Sequence, residues 1–277
     1  NMKYLVTSAL PYANAPLHLG HVLEIVQTDV WVRQKNLSNE EALYFCASDT
    51  HGTPIMLKAK EMNVTPEELI KDIHEKHHQT FKNFNVKLAN FHSTHSDENK
   101  HLTSEIFRNA IKNKYIHKKE ISQLYDEKEQ IFLADRFVKG SCPACGAEEQ
   151  YGDACEKCGS TYDALELKNP ISVLSNTAPV VKESEHYFFK LNEFKAFLKE
   201  NVQKISNQTP IKAKLDEWLN EDLRDWDVSR DEPYFGFNVP GEDSKYRYVW
   251  MDAPGGSLSS IQNWANQNDI EYADLMN

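Results

Sequence analysis

The 277-residue chain lacks any apolar run near the roughly 18 residues that a membrane-crossing helix needs. It also lacks a positive excess. Lys and Arg number 31 against 42 Asp and Glu, a formal charge of −11, which speaks against a surface built simply to coat nucleic acid. No internal repeat and no low-complexity tract occurs. A disulfide framework is missing too: of five cysteines, Cys46 stands alone and four are clustered. That is a metal pattern, and it suits the reducing cytoplasm. Apolar residues at 40% and charged residues at 26% are an ordinary globular mix, which excludes disorder, collagen and coiled coil. A prior of about 150 residues per domain allows one large domain or two ordinary ones. Lys3 and the later Ala13-Asn14-Ala15 mimic a secretory leader, but the apolar part is short and contains Pro11.

Strand and helix patterns alternate. Residues 3–8 read as a short buried strand, followed by a loop with Pro11 and Pro16. Leu19, Val22, Leu23, Val26 and Val30 recur at helical spacing, predicting a helix from near His18 into the thirties. Residues 42–47 form a second apolar strand ending at Asp49. Thr65, Pro66 and Glu68 mark a capped helix start, with Leu69, Ile73, Phe81 and Phe84 on its inner face. A further helix from about Asp97 turns Leu102, Ile106 and Ala110 inward. This rhythm predicts an α/β fold with a doubly wound parallel sheet. It breaks near Tyr115, where strand-like pieces begin. Tyr187–Phe189 follow in a strand, then two amphipathic helices near 192–204 and 209–221, the second capped by Thr209-Pro210. An apolar strand returns at Tyr246–Trp250. The chain is therefore read as residues 2–114, an insertion over 115–228 with its cysteine region at about 138–165, and a resumption over 229–277.

Two CxxC knuckles, Cys142/Cys145 and Cys155/Cys158, are nine residues apart. They can place four thiolates around one tetrahedral Zn²⁺ with no open position, which makes the site structural. Gly146 and Gly159 permit the tight turns. His18-Leu19-Gly20-His21 falls where a strand hands over to a helix. Free N–H groups and the helix dipole favour phosphate there; the histidines can donate to it, and Gly20 lets a flat base approach. Asp49 at the end of the second strand could bind a substrate ammonium, or serve as a turn aspartate. Trp250 could wall an apolar pocket, or be plain core.

Together these residues resemble the methionyl-tRNA synthetase family of class I aminoacyl-tRNA synthetases. Ala9–Asn14 leading into His18–His21 is similar to the family's His-Ile-Gly-His region. Asp49–Pro54, the paired knuckles, Leu223–Arg230 and Tyr248–Pro254 follow in the family's order, over essentially the whole chain. The resemblance implies a Rossmann-like catalytic domain interrupted by a zinc-binding connective insertion. It implies ATP, with Mg²⁺, and methionine as substrates of methionyl-adenylate formation, and tRNA(Met) as acceptor. On the family pattern His18, Gly20 and His21 serve ATP. Leu10, Tyr12, Asp49, Trp250, Ala253 and Pro254 form the methionine site, with Asp49 on the ammonium. Arg230 assists adenylation, or makes a surface salt bridge.

Two departures follow. The family continues Asp-Ala-Pro with Ile-Gly-Tyr, whereas this chain has Gly255-Gly256-Ser257. That run could be natural, an engineered change or a linker; it loosens the pocket wall and removes its tyrosine, so weakened methionine binding is expected. The Lys-Met-Ser-Lys-Ser loop and the anticodon-reading domain are absent as well, so a fragment with little activity alone is expected. A nucleotidyltransferase without tRNA would not need the knuckles. A zinc RNA-binding module would leave His18–His21 and Asp49 unexplained. A leucine- or valine-type synthetase would need a longer insertion.

Overall fold

The computed structural model describes residues 3–205 and 208–276. Along the chain the first elements are β1 (Lys3–Thr7), α1 (Leu19–Leu37), β2 (Glu41–Ser48), α2 (Thr53–Met62), α3 (Pro66–Asn83), β3 (Asn90–Ser93) and α4 (Asp97–Lys112). Next come β4 (Ile116–Asp126), β5 (Ile131–Phe132), β6 (Val138–Ser141), β7 (Gln150–Tyr151), β8 (Lys168–Ser172), β9 (Val180–Phe189), α5 (Lys195–Ile205), α6 (Thr209–Asn220), β10 (Trp226–Asp227) and β11 (Ser229–Asp231). The last are β12 (Lys245–Arg247), α7 (Val249–Asp252), α8 (Gly255–Gln267) and α9 (Tyr272–Met276). They form two compact units, one of Asn1–Asn113 with Tyr234–Asn277 and the other of Lys114–Pro233. Among the described residues no helix is long and apolar enough to cross a membrane.

The first unit holds a parallel sheet in the order β1-β2-β3, with Leu5 opposite Leu43 and Phe45 opposite Asn90. The middle strand β2 is buried on both faces. Ala42 and Tyr44 pack with Ile25, Val32 and Phe81 from α1 and α3. On the other face the Phe45 ring meets Trp264 of α8 edge-on at 5.7 Å. Helices on both sides of a parallel strand explain why β2 reads as a near-continuous apolar run. Cys46 is fully buried in this strand.

Several elements bury a different face from the one that apolar spacing marks. On α1 the inward residues are Val22, Ile25, Asp29 and Val32, while Leu19, Leu23 and Val30 are 80%, 59% and 59% exposed. The helix carries two apolar stripes, and the one facing the sheet includes a polar member. Asp29 earns its burial by pairing with Arg33 and accepting from the Lys87 amide. On α4 the buried face is Asn99, Thr103, Phe107 and Ala110, and Ile106 is exposed. Asn99 Nδ2 donates to Thr94 O, and Thr103 Oγ1 accepts from Arg247. Counting apolar residues alone misses a face whose polar groups have tertiary partners. On α3 the Thr65–Glu68 capping box forms as predicted, but Phe84 is the exposed C-cap residue.

The predicted strand over Tyr246–Trp250 is instead the short β12 followed by the single turn α7. Alternation over five residues cannot separate these two outcomes. Gly255 and Gly256 are not a linker. They begin α8, where an added Cβ would lie 2.4 Å from Asn99 Oδ1 and 2.5 Å from Leu10 Cδ2, respectively. Glycine here permits close packing rather than freedom.

The second unit is built on an antiparallel sheet in the order β10-β9-β4-β5. Its spine is the β4–β9 ladder, from Ile116 opposite Phe189 to Tyr125 opposite Val180. His186 on β9 is buried between two carboxylates, 2.7 Å from Asp227 and 2.8 Å from Asp231. Pro210 sits in the first turn of α6 as expected, but the N-cap residue is Gln208 rather than Thr209. A smaller sheet, β7-β6-β8, carries the cysteine knuckles.

Candidate functional site

Parallel strands bring their carboxyl ends to one edge, and there the loop after β1 folds back along the end of β2. The Asp49 amide donates to Pro11 O at 3.0 Å, and the Ala13 amide donates to Asp49 O at 2.8 Å. This places Tyr12 beside Asp49, and the Tyr12 hydroxyl donates to His51 O at 2.7 Å. Asp49 is 8% exposed and its Oδ1 has no partner. Burial, and then the charge of Asp252, push its carboxyl up to about 7. A buried carboxylate oxygen without a donor is costly unless a ligand supplies one.

The loop ends in a capping box made of histidines. His18 is the N-cap of α1, and its Nδ1 accepts from the Gly20 amide at 3.1 Å. His21 Nδ1 accepts from the His18 amide at 3.3 Å, and the two rings stack with centroids 3.7 Å apart. Both Nδ1 atoms are acceptors, so in the neutral rings both protons sit on Nε2. Burial and the neighbouring His18 lower the pKa of His21, which favours that neutral form. The result is two N–H donors at the positive end of the helix dipole, an arrangement that fits an anion. Gly20 has a steric reason of its own to lack a side chain, because a Cβ there would lie 2.9 Å from the His18 ring.

Behind Asp49 runs a polar chain that the sequence reading missed. Asp252 Oδ2 accepts from His51 Nδ1 at 3.0 Å, and His51 Nε2 then accepts from His95 Nδ1 at 3.1 Å. His51 and Asp252 are fully buried. Arg247, also fully buried, lies 3.7 Å from Asp252 and over the Phe237 ring. The available signal was the proximity of His51 and Asp252 to motif residues on both returning segments. Nothing in their spacing pairs positions so far apart in sequence. A cleft of about 720 Å³ opens next to His95, lined by Lys100, Ser104, Arg108 and Arg247, and none of the predicted substrate residues lines it.

The structure gathers Leu10, Tyr12, Asp49, His18, Gly20 and His21 on the β1 loop, the start of α1 and the end of β2. Trp250 lies on α7 and not on a strand. It is 62% exposed and so is not core, and it lies two residues from the Asp252 that ties α7 to His51. Ala253 and Pro254 join α7 to α8, Ala253 half-buried and Pro254 exposed. Arg230 belongs to the other unit, where it donates to Ser229 O and lies 3.6 Å from Asp227.

In that second unit the four cysteines form a candidate metal centre, with all four Sγ atoms within 4.8 Å of one another. Cys142 and Cys158 are 3.8 Å apart, and Cys145 and Cys155 3.7 Å. A tetrahedron with Zn–S of about 2.3 Å has edges of about 3.8 Å, so the donor set fits zinc. The Cys145 amide points at Cys142 Sγ at 3.5 Å, and the Cys158 amide at Cys155 Sγ at 3.4 Å. Gly146 and Gly159, at φ +74 and +76, turn each knuckle back.

The sequence matches the family described as tRNA synthetases class I (M) over residues 4–276. Two solved structures of Mycobacterium tuberculosis methionyl-tRNA synthetase, one bound by and one in complex with methionyl-adenylate, are similar in fold. Each is 20% identical to this chain, with TM-scores of 0.71 and 0.72. Each match covers 94% of this chain and 47% of the solved one, so the chain spans about half the length of those proteins.

Proposed function

We propose, from the premise that this chain belongs to the class I (M) tRNA synthetases, that it is the methionine- and ATP-binding part of a methionine–tRNA ligase. The observation that carries the reading is the unpartnered Asp49 Oδ1, buried beside Tyr12. An amino-acid ammonium supplies the donors and the charge that this oxygen lacks. Leu10, Tyr12, Trp250, Ala253 and Pro254 surround the side chain. A thioether offers little but polarizable apolar surface, so shape and aromatic contact select it.

ATP, as its Mg²⁺ complex, meets the Nε2–H groups of His18 and His21 at the start of α1, with Gly20 beneath the adenine. The methionine carboxylate attacks the α-phosphorus, pyrophosphate leaves, and methionyl-adenylate forms. Two donors fixed before the substrate arrives stabilise phosphate charge without reorganising. The terminal ribose hydroxyl of tRNA(Met) then takes the methionyl group. Cys142, Cys145, Cys155 and Cys158 hold a structural Zn²⁺, which takes no part in the reaction because four thiolates fill its coordination. Thiolate ligands need a reducing compartment, which supports a cytoplasmic setting.

Titration of the chain with methionine and with leucine tests the reading. Methionine should bind more tightly than leucine, and Asp49→Asn should weaken methionine by about a hundredfold, the cost of an ammonium losing its buried partner. Equal affinity for the two amino acids, or an Asp49→Asn variant that binds as the parent does, removes the assignment.

A further inference from the structure

The buried stripe of α3 is Leu69, Ile70, Ile73, His77 and Phe81. His77 is its one polar member and is fully buried. Its Nε2 lies 2.7 Å from Ala15 O. A carbonyl only accepts, so the proton is on Nε2, and Nδ1 is left as a buried acceptor without a partner. An aliphatic side chain would continue the stripe and remove that orphan. The imidazole therefore costs stability at this position, and what it provides is the bond to Ala15.

That bond adds a polar tether to a stretch otherwise held by the packing of Leu17 against the Ile25–Phe81 core. Tyr12 and Ala13 are fixed on Asp49 and His51, and His18 is fixed by the capping box. Between them, among the described residues, the His77 contact is the only side-chain hydrogen bond made to Asn14, Ala15, Pro16 or Leu17. Ala15 precedes Pro16, which restricts it to extended backbone. Fixing its carbonyl thus sets the direction in which the chain enters α1. Burial holds the His77 pKa down against the Ala15 carbonyl, so the ring stays in the neutral form this geometry needs.

We propose that His77 is a positioning residue for the phosphate-facing turn, setting through Ala15 where α1 begins and hence where His18 and His21 present their Nε2–H groups. This rests on reading His18–His21 as the ATP phosphate site. The methionine side is anchored separately, so the effect of His77 falls on ATP.

Two variants of the chain, His77→Leu and His77→Gln, test this by amide hydrogen exchange and by separate titrations with Mg·ATP and methionine. His77→Leu should melt no lower than the parent, yet exchange over residues 14–22 should speed up about tenfold, the effect of one lost hydrogen bond. Its ATP affinity should fall by about as much, with methionine changed less than about twofold. Glutamine can offer an amide N–H to the same carbonyl, so His77→Gln should stay near the parent in every readout. Parent-like exchange over 14–22 in His77→Leu overturns the proposal, and so does an equal loss of ATP and methionine. If the parent itself binds no ATP while His77→Leu still loosens residues 14–22, the positioning role stands and the phosphate reading falls.

Discussion

At Asp49 two requirements pull against each other: burial favours the neutral acid, whereas an ammonium needs the carboxylate. With its carboxyl pushed up to about 7, the side chain is largely protonated in mildly acidic buffer. Methionine affinity should therefore rise about tenfold per pH unit on the acid side of 7 and level off above it, which calorimetry from pH 5.5 to 8 reads directly. A flat profile would mean that another group receives the amine. The sign for stability is the opposite. The folded pKa is raised above the unfolded value, so the contribution is full below about pH 4 and is lost as pH rises through about 7, at up to about 1.4 kcal/mol per unit. Denaturant melts of Asp49→Asn should lack that slope. Single residues such as Asp49 and His18 were legible because each stands where a strand ends or a helix starts. His51 and Asp252 were not, because their significance lies in a contact across two distant segments.

At the scale of the element, strand and helix types were read more reliably than the faces they bury. The inward faces of α1 and α4 hold Asp29, Asn99 and Thr103, whose partners come from elsewhere in the unit. The glycines of α8 illustrate the same limit from the other side, since a sequence shows no neighbour and glycine then reads as slack. Gly256→Leu should cost about 1–3 kcal/mol by overpacking and weaken methionine as well, because the first atom it displaces belongs to Leu10. Urea melts and a methionine titration check both, and a silent substitution would mean that α8 stands further off. The knuckles were plain in sequence because four thiolates at CxxC spacing leave few other uses. The chain should carry one zinc by elemental analysis. Strong chelation should loosen exchange in the β7-β6-β8 sheet while leaving the β1-β2-β3 sheet unchanged. Zinc-free protein with an equally protected small sheet would argue for a metal-independent fold.

At the scale of the whole molecule, alternating strands and helices, a break in that rhythm and its return were enough to predict an α/β fold with an insertion. The family match over residues 4–276 and the two solved folds agree with that class. What the pattern could not supply was the end of the path, where a five-residue alternation gave way to β12 and one helical turn. The acidic balance of −11 is a property of the sum and does not constrain the local field at the start of α1.

The chain's route through its two units imposes an order on its birth. Residues 114–233 are one uninterrupted stretch and can fold as soon as they leave the ribosome, since domains form as units during synthesis. The sheet begun by β1, β2 and β3 must wait, because α8, the helix that covers Phe45 and Ala47, comes after that stretch in the chain. For the time needed to make everything between Ser93 and Gly255, one flank of that nascent sheet stays bare and greasy. It is in this interval that a chaperone has most to shield.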